Sequence, residues 1–301
     1  MVRSHFPNVQ VSTEARDAMD DVDAVVVATP TVTHYGLVKL ALEQRKHVLV
    51  EKPLTGDMAS AREVVELAHK VGRVLLVGHV FLYNPAVRWV KRFLDGGEQG
   101  QLYYLSSQRT NFGPIRSDVG VAWDLAAQDV AIFNYWLGTD PIAASATGLA
   151  CINDDIEDFV FLTLRYPGPI LAHVHVSWLH PRKTREIAVV AERRMLIYDD
   201  MSLSEPVRVY DNGVRNDVRA RPGYEDTFMS FRSSVHVGAV KSPTVVLEEP
   251  LRAEVDHFLD CVVHGGEPIT SGEEGLRVIN TLEAAQRSIA NHGREETIES
   301  H

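Results

Sequence analysis

The stretch His47-Val48-Leu49-Val50-Glu51-Lys52-Pro53 decides the fold. An unbroken run of β-branched and leucine side chains stops at an acid, a base and a proline. Apolar runs of this length fit a parallel strand covered on both faces. Open α/β sheets bind ligands just past the carboxyl ends of such strands. Lys52 is therefore expected at a crevice, with its stem packed and its ammonium near a bound molecule. Pro53 fixes the exit and holds Lys52 extended. A half-sunk lysine at a cleft can transfer protons, because burial favours its neutral form. A strand-end lysine pointing at water is the plain alternative.

Working outward, Val22–Thr29 reads as a buried strand and Pro30-Thr31-Val32-Thr33 as a turn. His34–Arg45 reads as a helix with Leu37, Leu40 and Ala41 inward. Beyond Pro53, Asp57–Val71 is an amphipathic helix closed by Gly72, and Val74–Gly78 is a third buried strand. Strand and helix alternating through short loops predict a right-handed parallel α/β unit. Upstream, Val9-Gln10-Val11 reads as a short extended piece, and Ser12-Thr13 as the cap of a helix ending near Asp21.

After Asn84-Pro85 the pattern changes. A helix over Ala86–Asp95 ends at Gly96-Gly97. Extended segments follow at 101–109, 142–150, 157–166, 169–179, 185–191, 194–199 and 206–211. They read as antiparallel strands joined by hairpins, with Tyr166-Pro167-Gly168 as one turn. Trp123–Leu137 is a helix among them. Two helices close the chain, 250–264 with Leu251, Val255, Phe258, Leu259 and Val262 inward, and 273–291 with Leu276, Ile279, Leu282 and Ile289 inward. The expected fold class is α/β plus α+β, a parallel piece over 1–83 and a domain with a large, mostly antiparallel sheet over 84–301.

Composition limits the partners. The 301 residues are 45% hydrophobic and 24% charged, ordinary for one large or two medium folded domains. A net charge of −11 argues against nucleic acid or an anionic membrane as the main partner. No apolar run approaches the roughly 20 residues that span a bilayer, and Met1–Pro7 lacks the apolar core of a signal peptide. Cys151 and Cys261, without CxxC spacing, fit reduced thiols of a cytoplasmic protein.

Ala28-Thr29-Pro30 with His34, Glu51-Lys52-Pro53, Asn84-Pro85, Trp123-Asp124 and Gly272-Glu273-Glu274-Gly275-Leu276 carry a resemblance along nearly the whole chain. In order and spacing they resemble the Gfo/Idh/MocA family of NAD(P)-dependent oxidoreductases, which act mostly on sugars and inositols. The Glu51-Lys52-Pro53 tripeptide is the most specific local signal. The Trp123-Asp124-Leu125 region and the stretch from Ser177-Trp178-Leu179 to Asp199-Asp200 look most like members that serve nucleotide-sugar and polysaccharide synthesis. The resemblance implies a Rossmann-type parallel sheet and a cofactor, NAD by family default or NADP. Thr29, Pro30 and His34 would lie against that cofactor, with Pro53, Asn84 and Trp123 beside it. Glu51 and Lys52 would reach the nicotinamide ribose and the substrate hydroxyl, and Asp124 would orient the reacting carbon. Oxidising an alcohol needs a base for the proton and a nicotinamide face for the hydride. Lys52 is the expected base or proton relay.

Two departures from the family matter. Its opening strand, Gly-rich turn and helix, which seat the cofactor's pyrophosphate, have no counterpart before Val22. By the size of such a unit, about 35–40 residues are unrepresented, as expected of a downstream start or a fragment, so cofactor binding is expected to be weak. The second departure is Gln128, where the family often has a histidine one turn after the aspartate. Glutamine hydrogen-bonds but cannot titrate, so Gln128 is expected to orient substrate while Lys52 handles the proton. Both departures also fit a cofactor-free, inactive remnant acting as a binding or scaffolding subunit.

Other residues are weighed against plainer roles. Arg109, Asn111, Gly113, Arg116 and Asp118 read as a polar loop before Asp124, with Arg109 and Arg116 suited to a sugar or phosphate. His79 and Tyr83 could line the crevice or simply pack. His173, His175 and His180 would need a converging carboxylate or cysteine to hold zinc, so no metal is expected there. Arg182-Lys183, Arg185 and Arg193-Arg194 read as solvated hairpin tips. An antiparallel sheet covered on one side leaves its other face for pairing, which predicts a homodimer or tetramer.

Overall fold

His47–Glu51 is β2, the middle of a three-stranded parallel sheet ordered β1-β2-β3, with β1 at Ala24–Val27 and β3 at Leu75–Gly78. Val48, Leu49 and Val50 are all buried, as a central parallel strand requires. The computed structural model describes residues 5–152, 155–214 and 235–299. They cluster as two units, Met1–Val80 with Leu251–Glu283, and Phe81–Pro250 with Ala284–His301. The sequence boundary at 83/84 lies three residues further along, and 251–283, placed with the second domain on sequence, clusters with the first.

In the first unit, α1 spans Ala15–Met19, α2 His34–Glu43, α3 Met58–Val71 and α6 Pro250–His264, while α7, Gly272–Ala290, begins there. The Asp57 side chain accepts from the Ser60 amide at 2.8 Å to cap α3, and Gly72 closes it at φ 65°. Phe258 of α6 packs with Leu49 and Leu76 to form the core. At α7 a Cβ on Gly275 would stand 2.8 Å from Val77 Cγ2, and one on Gly272 2.9 Å from Val65 Cγ2. The Gly272-Glu273-Glu274-Gly275 motif is thus a packing device that lets α7 approach β3.

Several expectations need correction here. Residues 9–11 form no strand. β1 is shorter than 22–29 and only partly covered, with Val26 57% exposed, because it is the edge strand. On α2 the buried positions are His34, Val38, Ala41 and Leu42 rather than Leu37 and Leu40. On α6 Leu251 and Leu259 are exposed, whereas Glu254, Phe258 and Cys261 are buried. Glu254 thus places a carboxylate on the inward stripe of α6.

The second unit holds α4 (Pro85–Asp95), α5 (Ala127–Leu137) and a nine-stranded sheet. Its strands are β4 (Leu102–Phe112), β5 (Ala143–Leu149), β6 (Phe159–Arg165), β7 (Leu171–Ser177), β8 (Leu179–Ala191), β9 (Met195–Asp199), β10 (Val207–Val214), β11 (Val235–Lys241) and β12 (Glu296–Thr297). The order is β11-β10-β9-β8-β4-β7-β6-β5-β12, antiparallel throughout except for the parallel pair β4–β7. β11 and β12 were not foreseen. β4 runs through Arg109 and Asn111, so those two are strand residues and not loop residues. β8 starts at Leu179, so Arg182, Lys183 and Arg185 lie within a strand; only Arg193-Arg194 occupy a hairpin turn.

Candidate active site

The carboxyl ends of β1 and β2 carry the first group of residues. Thr29 and Pro30 are exposed at the end of β1. The Thr33 hydroxyl donates to the Pro30 carbonyl at 2.7 Å and lies 2.7 Å from the Thr29 hydroxyl, which ties the turn to itself. His34, opening α2, is buried: Nε2 lies 2.9 Å from the Thr29 carbonyl oxygen and Nδ1 2.8 Å from that of Pro53. Carbonyl oxygens only accept, so a neutral ring bonds one of them and a protonated ring bonds both. The ring joins the β1 turn to the chain leaving β2, and both of its nitrogens lie against backbone carbonyls. Pro53 follows a cis peptide and is buried, while Glu51 and Lys52 are half-buried at the edge.

Glu51 pairs with Gly78 across β2–β3. A Cβ at Gly78 would stand 3.2 Å from both the Glu51 Cα and Oε2. Glycine there leaves the space in which the Glu51 carboxylate lies. A half-exposed carboxylate at a strand end, beside backbone bare of side chain, is the acceptor a ribose hydroxyl requires. These residues fit the nicotinamide-ribose end of a dinucleotide. His79, next along β3, is buried.

The second unit holds Asp124 in a π-helical turn, Ala122–Ala126, just before α5. Such single π turns often mark functional positions. Arg116 Nη1 donates to Asp124 Oδ1 at 3.0 Å, and Trp178 Nε1 donates to Oδ2 at 3.1 Å. Arg116 is itself held by Asp118 at 2.9 and 2.6 Å, and the paired carboxylates raise its pKa, Asp118 most. The carboxylate of Asp124 is thus aimed from two sides by groups that cannot accept its proton. Trp123 is buried beside it in sequence. Gln128, on the next turn, is 5% exposed, and its Oε1 makes no hydrogen bond among the described residues.

Two expected ligand-binding residues are used internally. Arg109 is buried and forks onto Asp129 at 3.0 and 2.9 Å, so its donors are not offered to a phosphate. The Phe81 ring covers its guanidinium at 4.4 Å. Asn84 caps α4 by accepting from the Ala86 amide and donates to Tyr198 and Asp200 at 3.3 and 3.2 Å. Burial, with Asp200 adding to it, pushes the Tyr198 phenol well up. Sequence reasoning missed Trp178, Asp129, Tyr198 and Glu254. Of these only Trp178 left a trace, in the Ser177-Trp178-Leu179 stretch.

His173 and His175 share a sheet face with Phe161; the Phe161 and His175 rings stack at 4.6 Å. Burial, then the neighbouring histidines, lower the pKa of His175. Among the described residues no three or more His, Cys, Asp or Glu side chains are grouped to hold a metal ion, and no helix is long and apolar enough to cross a membrane.

Comparison with known proteins adds to this geometry. Residues 3–79 match the family model for oxidoreductases with an NAD-binding Rossmann fold, and residues 87–197 match the GFO/IDH/MocA C-terminal domain. The scyllo-inositol 2-dehydrogenase (NAD+) of Bacillus subtilis is 30% identical over 90% of this chain and 76% of its own length. The UDP-N-acetylglucosamine 3-dehydrogenase of Acidithiobacillus ferrooxidans is 25% identical over 91% of this chain and 79% of its own. A solved structure of the latter superposes with TM-score 0.79 over 97% of this chain and 86% of that one, at 21% identity, which establishes the shared fold.

Proposed function

Because the chain belongs to the Gfo/Idh/MocA family of oxidoreductases, we propose that it transfers a hydride between a nicotinamide dinucleotide and a carbon bearing a hydroxyl on a sugar. The observation that carries this reading is the Glu51-Lys52-Pro53 strand end, with Glu51 in the space left by Gly78. Lys52 takes the hydroxyl proton as the hydride leaves, and returns it in reduction. Glu51 accepts from the nicotinamide ribose. Asp124, aimed by Arg116 and Trp178, orients the reacting carbon, and Gln128 offers its unsatisfied carbonyl to a substrate hydroxyl. Bound there, the cofactor supplies the hydride acceptor.

Family resemblance favours NAD and a nucleotide-activated sugar. The relative acting on UDP-N-acetylglucosamine supports the second point. The test is dinucleotide binding, followed by nicotinamide fluorescence, and turnover with UDP-N-acetylglucosamine and inositol. Turnover with either supports the reading. Sugar binding without nicotinamide turnover would favour the inactive remnant, which Gln128 also suits. The free thiols of Cys151 and Cys261 suit the reducing cytoplasm. Tyr104, Phe161 and Leu171 are exposed on one face of the large sheet and suit pairing with a second copy as a dimer or tetramer. Light scattering that gives a monomer would rule this out.

A further inference from the structure

Glu254 is 0% exposed, and neither of its carboxyl oxygens has a hydrogen-bond partner among the described residues. Its place follows from α6. Phe258 packs on Leu49 and Leu76, mid-strand in β2 and β3. Val262, a turn later, lines a cavity of about 460 Å³ with His47, Val74 and Leu75, at the strand starts. So α6 runs against the strand direction. Glu254, a turn before Phe258 and about 6 Å along the axis, faces the strand ends where Glu51 pairs with Gly78.

We propose that Glu51 and Glu254 work as a carboxyl pair, the buried Glu254 holding the proton and Glu51 carrying the charge, so that nicotinamide binding at this strand end is coupled to the Glu254 proton. The coupling to nicotinamide rests on the function proposed above; the pair does not. Burial pushes the Glu254 carboxyl up to about 8, and the Glu51 charge adds to it. Titratable groups at this strand end are Glu51, closing β2, Lys52 after it and His79 after β3, and of these it is the Glu51 charge that acts on Glu254. On α7 Glu274 and Arg277 pair with each other. Phe258, a turn along α6, is apolar. When Glu254 ionises, its proton leaves to solvent and a second carboxylate stands at the Glu51 end. An oxidised nicotinamide ring carries a positive charge that the reduced ring lacks, so the second carboxylate favours the oxidised form.

The full chain tests this by infrared spectroscopy. The carbonyl stretch of a protonated carboxyl, absent in Glu254→Gln, is expected at neutral pH and should fade near pH 8. In Glu51→Gln it should fade at lower pH, because the repelling charge is gone. Absence of the band at neutral pH, or a midpoint unmoved by Glu51→Gln, would overturn the pair. Oxidised and reduced nicotinamide mononucleotide then probe the coupling. The ratio of their affinities should rise several-fold across the titration in the wild type and stay flat in Glu254→Gln. A flat wild-type ratio with a titrating band overturns the coupling. Failure of both forms to bind overturns the functional reading and leaves the pair standing on the band.

Discussion

His34 Nδ1 lies 2.8 Å from the carbonyl oxygen of Pro53, nineteen residues along the chain, inside the first unit. Its other nitrogen faces the Thr29 carbonyl. The ring thus fastens two strand-end turns from beneath. Replacing it by alanine removes the ring N–H that one of these carbonyls accepts, a cost of about 1–3 kcal/mol. Urea unfolding should register His34→Ala as a loss in that range, and dinucleotide affinity should fall with it. A variant as stable as the wild type would mean that the turns hold without the clasp.

Asp129 is 1% exposed and carries the fork from buried Arg109. Removing one partner strands the other charge in the interior, which costs about 3–5 kcal/mol. Asp129→Ala should therefore unfold at much lower urea. The double variant Arg109→Met, Asp129→Leu should regain most of the loss, since apolar packing needs no partner. Equal losses in the single and double variants would contradict this account.

Arg116 and Trp178 orient Asp124 without taking its proton. Misplacing a positioned group can cost on the order of 10- to 100-fold in rate. Arg116→Ala is expected to lower kcat by about tenfold with little change in melting temperature. An unchanged kcat would separate Asp124 from the chemistry.

The Glu254 carboxyl is raised from 4.5 in the unfolded chain to about 8 in the fold. A raised pKa gives stability that is complete below pH 4.5 and is lost as pH rises to about 8. Each pH unit in that window costs up to about 1.4 kcal/mol. Glu254→Gln cannot ionise, so relative to the wild type it should gain stability steadily across the window and then level off. Parallel stability curves would contradict a buried carboxylic acid.

Much of the fold was legible because the apolar runs around Val48-Leu49-Val50 and Val74–Val77 leave few alternatives to buried parallel strands. For the candidate site, the sequence singled out Glu51-Lys52-Pro53 and Trp123-Asp124 by motif, and the fold sets the first at the end of β2 and the second in a π-helical turn. The site was not legible where the choice is tertiary. Whether Arg109 meets a ligand or Asp129 depends on a helix packed twenty residues away. His34 looked like a cofactor contact because its spacing from Pro30 is local, whereas its second partner, Pro53, is distant. Glu254 was hidden by its charge, since a helix stripe is read from apolar residues and a buried acid breaks that pattern.

The most direct measurement is the appearance of reduced nicotinamide when the wild-type chain and Lys52→Met are mixed with saturating NAD and UDP-N-acetylglucosamine or inositol. The wild type should reduce NAD with one of these substrates, and Lys52→Met should bind both ligands yet turn over at least about a hundredfold more slowly. Full turnover by Lys52→Met, or none by a wild type with both ligands bound, would contradict a hydride-transfer site built on the end of β2.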